Sequence, residues 1–183
     1  MHQIPNALAA AAVATALNIP IDSISAALST AEIKSRWRME VDEINGITII
    51  NDSYNANPES MAAALRTMAL ISQETGGVSW AFLGRMNELG ASSAQEHAEI
   101  GQLVTKIGID NLVSIGTSDY LTQLSEAIDR GESAVHFFED KTSALALVEH
   151  FAVGDVVLVK ASRSEEFNLL AELMREKLNE GAE

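Results

Sequence analysis

The sequence predicts an α/β protein in which helices cover both sides of a mostly parallel sheet. From Met39 onward, short apolar runs rich in β-branched residues alternate with helical patterns, as they do in parallel βαβ units. These runs are apolar on both faces, which is typical of strands buried between two layers of helices. We therefore predict a three-layer αβα, Rossmann-like domain from about Met39 to Leu178, with an antiparallel strand at the start of its sheet.

Two short helices are predicted before this domain. Residues 7–17 are strong helix formers, and Ile21, Ile24 and Leu28 recur at helical spacing after a break at residues 18–20. Two small helices cannot enclose a core. We therefore expect them to belong to a larger neighbouring domain.

The predicted domain begins with a hairpin and a helix. Residues 39–44 and 47–50 read as strands that flank Asn45-Gly46, the dipeptide of a tight hairpin turn. A helix then begins at Pro58, because proline suits the first helical position and Asn57 is a candidate cap.

Further strands and helices alternate to the end of the chain. Strands are predicted at residues 78–83, 112–115, 135–138 and 156–159. Helices are predicted at residues 93–107, 120–128, 142–151 and 165–178.

Composition narrows the class of function. The chain has 183 residues, a formal net charge of -14 and no cysteine. The scattered basic residues argue against nucleic acid as a partner, and the absence of cysteine excludes disulfides and thiolate metal sites. His97 has no second histidine at metal-ligand spacing, so no metal site is predicted. Without a signal peptide or an apolar run of membrane-spanning length, we expect a cytoplasmic protein without membrane insertion.

Polar residues follow the strand at 47–50, where the carboxyl end of a sheet usually binds ligands. Asp52 could accept hydrogen bonds from a ribose, or it could be a turn residue that bonds its own backbone. Asn55 and Asn57 suit a peptide carboxylate or amide, but either could cap the next helix.

Basic residues also lie just before the first predicted strand and just after the last one. Arg36 and Arg38 bracket Trp37 before the first strand and could clamp a phosphate, or they could be a solvated pair. Lys160, Ser162 and Arg163 follow the last strand, where they could contact a ligand or begin a helix. Neither a Gly-x-Gly-x-x-Gly nor a Gly-x-x-x-x-Gly-Lys-Ser/Thr loop occurs.

Five short motifs follow one another along the chain. They are His2 with Asn6-Ala7-Leu8-Ala9-Ala10; Arg38-Met39-Glu40; Asp52-Ser53-Tyr54-Asn55-Ala56-Asn57-Pro58; Leu83-Gly84 with Met86, Glu88-Leu89-Gly90, His97 and Ile100-Gly101; and Val157-Leu158-Val159-Lys160-Ala161-Ser162-Arg163. Together they resemble the Mur ligases of peptidoglycan synthesis, and within that family the type that adds D-alanyl-D-alanine.

The resemblance implies a domain organisation and an activity. Residues 1–35 would be the helical tail of the family's central, ATP-binding domain, and residues 36–183 its carboxyl-terminal domain. The family uses ATP and Mg²⁺ to phosphorylate a carboxylate, which an incoming amine then attacks. The partners implied are UDP-N-acetylmuramoyl-tripeptide, D-alanyl-D-alanine and the other domains. The phosphate loop and metal ligands would lie in the central domain, so this chain alone is expected to be inactive.

The resemblance also assigns residue roles. Asn6 would face the adenine of ATP, Arg38 its phosphates and the acyl phosphate, and Asp52 its ribose. The residues expected to position D-alanyl-D-alanine are Asn55, Asn57, His97, Lys160 and Ser162. Trp37 and Arg85 depart from the family pattern, in which a glycine and an acidic residue are common at these positions.

Two other functions are compatible with the sequence. One is a sister Mur ligase that adds a different amino acid, against which Tyr54-Asn55-Ala56-Asn57 argues. The other is a catalytically silent ligand-binding module with the same fold. The sequence makes no prediction of the oligomeric state.

Overall fold

The computed structural model describes residues 4–31, 36–121 and 133–181. Its contacts divide the chain into two compact units, Met1–Ser35 and Arg36–Glu183. The first unit contains helices α1 (Ile4–Ala16) and α2 (Ile21–Ser29). Ile24 is buried, whereas most large apolar side chains of these helices are exposed, including Leu8 at 65%. Both predicted helices are thus present.

The second unit is built on a six-stranded sheet in the order β1-β2-β6-β3-β4-β5. The strands are β1 (Glu40–Ile44), β2 (Ile47–Asn51), β3 (Ser79–Leu83), β4 (Asn111–Ile115), β5 (Ala134–Phe138) and β6 (Val156–Lys160). β1 pairs with β2 antiparallel, and every other pair is parallel. The predicted mixed sheet is confirmed.

Helices cover both faces of this sheet. They are α3 (Pro58–Thr75), α4 (Ser93–Lys106), α5 (Lys141–Ala144) and α6 (Phe167–Glu180). Apolar residues of α3 and α4, such as Leu65 and Val104, share one core with Leu158. Leu170 and Met174 of α6 pack in a second core with the neighbouring strand residue Val159. The predicted three-layer architecture is therefore confirmed.

This arrangement creates a crevice at the carboxyl ends of the central strands. α4 follows β3 on one face of the sheet, and α6 follows β6 on the other. Because β6 lies between β2 and β3, the chain leaves neighbouring strands in opposite directions. Ligands of open α/β sheets bind at such a point.

Local sequence features explain the hairpin at the start of the sheet and the start of α3. Asn45 and Gly46 have φ angles of 52° and 77°, the left-handed pair that a type I′ hairpin turn requires. A Cβ atom at Gly46 would also lie 2.9 Å from Val153 Cγ1. Asn57 caps α3 as predicted, since its side chain accepts a hydrogen bond from the Ser60 backbone N–H at 2.8 Å.

Three predicted helices differ from the structure. The one at 142–151 is a single α-turn followed by the 3-10 helix Leu145–His150, which places Ala144 and Leu147 three residues apart on the buried side. The last helix begins at Phe167, because Glu166 has φ 53° and interrupts it. Of the helix at 120–128, only the 3-10 turn Asp119–Leu121 falls within the described residues.

No helix in the described ranges combines the length and apolar character needed to cross a membrane.

Candidate functional site

A pocket of about 640 Å³ opens at the carboxyl ends of β2, β6 and β3. Its lining comes from three segments, residues 54–57, 87–89 and 162–164. Each segment follows one of these three neighbouring strands. The crevice that the topology creates is therefore an open site with polar walls.

Asp52 connects β2 to β6 beside this pocket. Its Oδ2 atom lies 2.6 Å from Lys160 Nζ, and its Oδ1 atom accepts the Met39 backbone N–H at 3.0 Å. The Asp52 side chain is 14% exposed. A carboxylate oxygen can accept more than one hydrogen bond, so Asp52 is held in place while keeping acceptor capacity toward solvent.

Lys160 is almost completely buried, and its ammonium group is used by the protein. Nζ donates to the Asp52 carboxylate, to the Asn55 carbonyl at 2.9 Å and to the Asp52 carbonyl at 3.2 Å. Burial lowers the pKa of Lys160, while Asp52 opposes this shift and Arg38 adds to it. An ammonium group has three N–H donors, so none is left for a ligand in this conformation.

Two arginines lie on aromatic rings at the edge of the pocket. The Arg38 guanidinium is 4.1 Å from the centroid of the Tyr54 ring. The Arg163 guanidinium is 4.0 Å from the Trp37 ring and 5.8 Å from the Tyr54 ring. Such contacts fix a guanidinium plane without neutralising its charge. Arg36 lies farther from the Trp37 ring, at 5.5 Å.

Trp37 is held by its backbone as well as by its ring. Its φ angle is 62°, an uncommon value for a residue other than glycine. Its carbonyl accepts the Tyr54 backbone N–H at 2.9 Å. The departure from the family glycine thus supplies a ring on which Arg163 rests.

His97 is buried beside the loop that follows β3 and forms a hydrogen bond with its backbone. The ring is fully buried, its Nε2 accepts the Met86 backbone N–H at 2.9 Å, and its Nδ1 lies 2.7 Å from the Ser93 carbonyl. These partners define a neutral ring with the proton on Nδ1. Both nitrogens are therefore occupied, which favours a positioning role for His97 over direct contact with a substrate.

Ser162 joins the loops after β2, β3 and β6. Its Oγ atom accepts the Asn87 backbone N–H at 2.8 Å and lies 3.4 Å from the Ala56 carbonyl. Asn87 in turn donates through Nδ2 to Ser164 and Glu165. Ser162 lines the pocket but is 3% exposed, so its main contacts are within the protein.

The remaining predicted residues lie in different places. Asn55 and Asn57 are exposed and line the pocket. Asn6 belongs to the first unit, on α1. Arg85 donates to the Gly116 carbonyl at 2.6 Å, at the end of β4 rather than in the pocket lining.

Sequence reasoning missed several lining residues. Tyr54, Asn87, Glu88 and Leu89 line the pocket but were not predicted to contact a ligand. Their position just after β2 and β3 was the available signal. The described part of the chain contains no group of three or more His, Asp or Glu residues that could hold a metal ion.

Comparisons with known proteins extend this description. The family model for the glutamate ligase domain of Mur ligases matches residues 37–163. The UDP-N-acetylmuramoyl-tripeptide--D-alanyl-D-alanine ligase of Mycobacterium tuberculosis (strain CDC 1551 / Oshkosh) is 38% identical over 191 residues, covering 94% of this chain and 38% of that protein. The Escherichia coli (strain K12) ligase of the same name is 32% identical, covering 89% and 34%. The chain thus spans little more than a third of these curated relatives.

Solved structures share the fold. A crystal structure of MurF from Acinetobacter baumannii superposes with a TM-score of 0.80 at 28% identity, covering 96% of this chain and 38% of that chain. The MurF ligase of Thermotoga maritima in complex with ADP gives a TM-score of 0.64 at 25% identity, covering 84% and 33%. Both similarities extend over most of this chain.

Proposed function

Because this chain belongs to the Mur ligase family, we propose that it is the carboxyl-terminal lobe of an ATP-dependent ligase that joins D-alanyl-D-alanine to UDP-N-acetylmuramoyl-tripeptide. The observation that carries the proposal is the pocket lined by residues 54–57, 87–89 and 162–164. It lies at the strand ends that bear the motifs resembling those of D-alanyl-D-alanine-adding ligases. Both curated relatives reported above carry the name of that activity.

Residues of the second unit would contribute one wall of a nucleotide site. In the proposal, Arg38 contacts the phosphates and the acyl phosphate and Asp52 the ribose, while Asn6, which belongs to the first unit, contacts the adenine as part of the central domain. Lys160 acts as a positioning residue, since its contact at 2.6 Å fixes the Asp52 carboxylate. The ADP complex of the Thermotoga maritima relative supports a nucleotide as ligand.

The other wall would come from a second lobe. We assign the phosphate loop and the Mg²⁺ ligands to the central domain, as the family resemblance implies, because this sequence contains no Gly-x-x-x-x-Gly-Lys-Ser/Thr loop. Residues 1–35 would be the tail of that domain, and their exposed apolar side chains would pack against its remainder. A nucleotide that contacts both lobes favours the closed state, which excludes water from the acyl phosphate.

The chemistry requires both substrates to be held in place. The amine nitrogen of the dipeptide attacks the activated carbonyl carbon, and phosphate leaves with the electron pair of the broken C–O bond. Asn55 and Asn57 are proposed to position the dipeptide directly. His97 and Ser162 would act indirectly by holding the surrounding loops. We propose a cytoplasmic location, where ATP is available.

Ligation by the gene product tests this function. The protein encoded at this locus, with any coding sequence before Met1, is incubated with ATP, Mg²⁺ and UDP-N-acetylmuramoyl-tripeptide. We expect ADP release and amide formation that depend on D-alanyl-D-alanine. Preference for D-glutamate or a diamino acid would indicate a sister ligase, and failure to turn over ATP with any amine would indicate a silent binding module.

Two substitutions test the nucleotide wall. Arg38→Ala and Asp52→Asn should each lower kcat/KM for ATP at least tenfold, about 1.4 kcal/mol of transition-state stabilisation. Asparagine is preferred at position 52, because its amide oxygen can still accept a hydrogen bond from Lys160, whereas alanine would remove both acceptor atoms. Arg66→Ala on α3, an exposed position outside the pocket lining, is the matched control. Unchanged kinetics in both variants would remove these residues from the site.

A further inference from the structure

The pocket has two opposite charges that the protein leaves without ion-pair partners. Arg163 and Glu88 both line it and both are exposed. Among the described residues, neither side chain forms a salt bridge, and the Arg163 guanidinium lies on the Trp37 and Tyr54 rings. Each charge is thus available to a ligand.

Arg163 is fixed in position despite its exposure. The Trp37 ring lies 4.0 Å from its guanidinium carbon. Stacking leaves the N–H groups at the edge of the guanidinium plane, where they can pair with a carboxylate in a bidentate manner. Arg163 follows β6, so this cationic end lies at the middle of the crevice.

The backbone of Glu88 has a strained, left-handed conformation. Its φ angle is 66°, which costs a residue other than glycine about 1 kcal/mol or more. Ordinary turn chemistry would place glycine or asparagine there. The protein instead holds a carboxylate at this point, in the loop anchored by the Asn87 N–H bond to Ser162 at 2.8 Å.

The pocket has room for a short peptide. Arg163 and Glu88 follow the neighbouring strands β6 and β3, and the pocket that they line, about 640 Å³ in volume, can hold an extended dipeptide of about 7 Å. Its lining also includes the apolar residues Ala56 and Leu89 and the Asn55 amide, which match methyl groups and a peptide bond.

We propose that this pocket recognises the dipeptide as a zwitterion, with Arg163 pairing with its carboxylate and Glu88 with its ammonium group. The inference deepens the proposed function and rests on it for the identity of the ligand. It assigns specificity to residues outside the set predicted from the family resemblance. Trp37 is the positioning residue for Arg163.

Binding by the 183-residue chain itself tests the inference without ATP. Backbone amide NMR shifts of Asn87, Leu89 and Ser164 report dissociation constants for three probes: D-alanyl-D-alanine, D-alanyl-D-alaninamide, which lacks the carboxylate, and N-acetyl-D-alanyl-D-alanine, which lacks the ammonium group. We expect the free dipeptide to bind about tenfold more tightly than either blocked probe, equivalent to 1.4 kcal/mol.

Each variant should remove one preference and keep the other. Arg163→Gln should bind the acid and the amide equally, while still favouring the free amine over the N-acetyl probe. Glu88→Gln should show the opposite pattern. Arg66→Gln and Glu176→Gln make the same charge changes at exposed positions outside the pocket and should keep the wild-type pattern. Thermal unfolding verifies that each variant is folded.

The outcomes separate this inference from the proposed function. Absence of shifts with every probe, or a preference for the acid that survives in Arg163→Gln, overturns the inference. If the gene product ligates but Arg163→Gln and Glu88→Gln leave its KM for the dipeptide unchanged, the inference fails and the function stands. If the binding pattern is as expected but no amine supports ATP turnover, the pocket stands and the proposed ligase function fails.

Discussion

The two ends of the central strands carry similar residues in different situations. At the amino ends of β4 and β6, the Asp110 and Asp155 carboxylates accept hydrogen bonds from neighbouring groups of the protein. At the carboxyl ends, Arg163 and Glu88 face a pocket without an ion-pair partner among the described residues. The two ends differ in whether the protein itself supplies partners for these charged groups, rather than in the type of residue.

Asp155 shows how the protein binds a carboxylate at the amino ends of the central strands. It is 3% exposed, and its carboxylate accepts hydrogen bonds from the Val78 N–H at 2.9 Å, the Trp80 indole N–H at 3.1 Å and the Ala152 N–H at 3.0 Å. Asp110 similarly accepts the backbone N–H and hydroxyl of Ser79. Both carboxylates fix the start of a strand, and the buried Asp155 carboxylate has little capacity left for a ligand.

Removing the Asp155 carboxylate should have the largest effect on stability. Asp155→Ala leaves three donors without an acceptor, one from a buried and two from partly buried hydrogen bonds, and each such group costs about 1–3 kcal/mol. We expect a loss of about 4 kcal/mol in the free energy of unfolding, measured by urea denaturation. Dipeptide binding at low temperature should be unchanged. A loss of binding with stability retained would contradict the division between the two ends.

Lys160 tests whether the carboxyl end also contains structural charges. Lys160→Met leaves Asp52 without its ion-pair partner, and breaking a buried pair in this way costs about 3 kcal/mol. Combining it with Asp52→Asn should recover part of the loss, because the unpaired carboxylate is then removed. Urea denaturation of the two single variants and the double variant gives the coupling. Full additivity would show that the pair contributes nothing.

Tyr120 gives a smaller effect with a pH signature. Its hydroxyl donates to the Gly84 carbonyl at 2.7 Å under the β3 loop, and burial, with Glu165 and Asp119, raises its pKa well above 10.0. Tyr120→Phe should cost about 1.5 kcal/mol at neutral pH. Above pH 10 the unfolded tyrosine loses its proton while the folded one keeps it, so wild-type stability falls with rising pH. The phenylalanine variant should lack this contribution, and equal slopes in both proteins would contradict the assignment.

Glu88 gives the smallest effect and the opposite sign. Because its φ angle is 66°, Glu88→Gly should relieve strain and raise the free energy of unfolding by up to about 1 kcal/mol. The same variant should lose the preference for a free amine. Glu176→Gly in α6 is the contrasting control, since glycine in a helix interior should destabilise by about 1 kcal/mol. A destabilised Glu88→Gly variant would mean that this residue is structural after all.

Most of the fold was predictable because its signals are local. Asn45-Gly46 fixed the hairpin, Pro58 with Asn57 fixed the start of α3, and apolar runs marked the six strands. The position of β6 between β2 and β3 was not predicted, since strand order depends on contacts between distant residues. The left-handed Glu166 gave no sequence signal, and it shifted the start of α6.

The candidate site was predictable in location more than in detail. Strand ends and family motifs pointed to residues 52–57 and 160–163, which meet at the crevice. They could not reveal that Lys160 and His97 are occupied by the protein, because hydrogen-bond partners depend on packing. The roles of Arg38, Asp52, Asn6 and the dipeptide-positioning residues stay predictions.

The hairpin at the start of the sheet also bears on self-association. β1 is an edge strand, so the outer side of its backbone could template another strand. Asp42 pairs with Arg175, whereas Glu43 is exposed and forms no ion pair among the described residues, so the Glu43 carboxylates of two copies brought edge to edge would repel each other. At low ionic strength this repulsion should keep neighbouring molecules from pairing through their β1 strands, and added salt would weaken the repulsion.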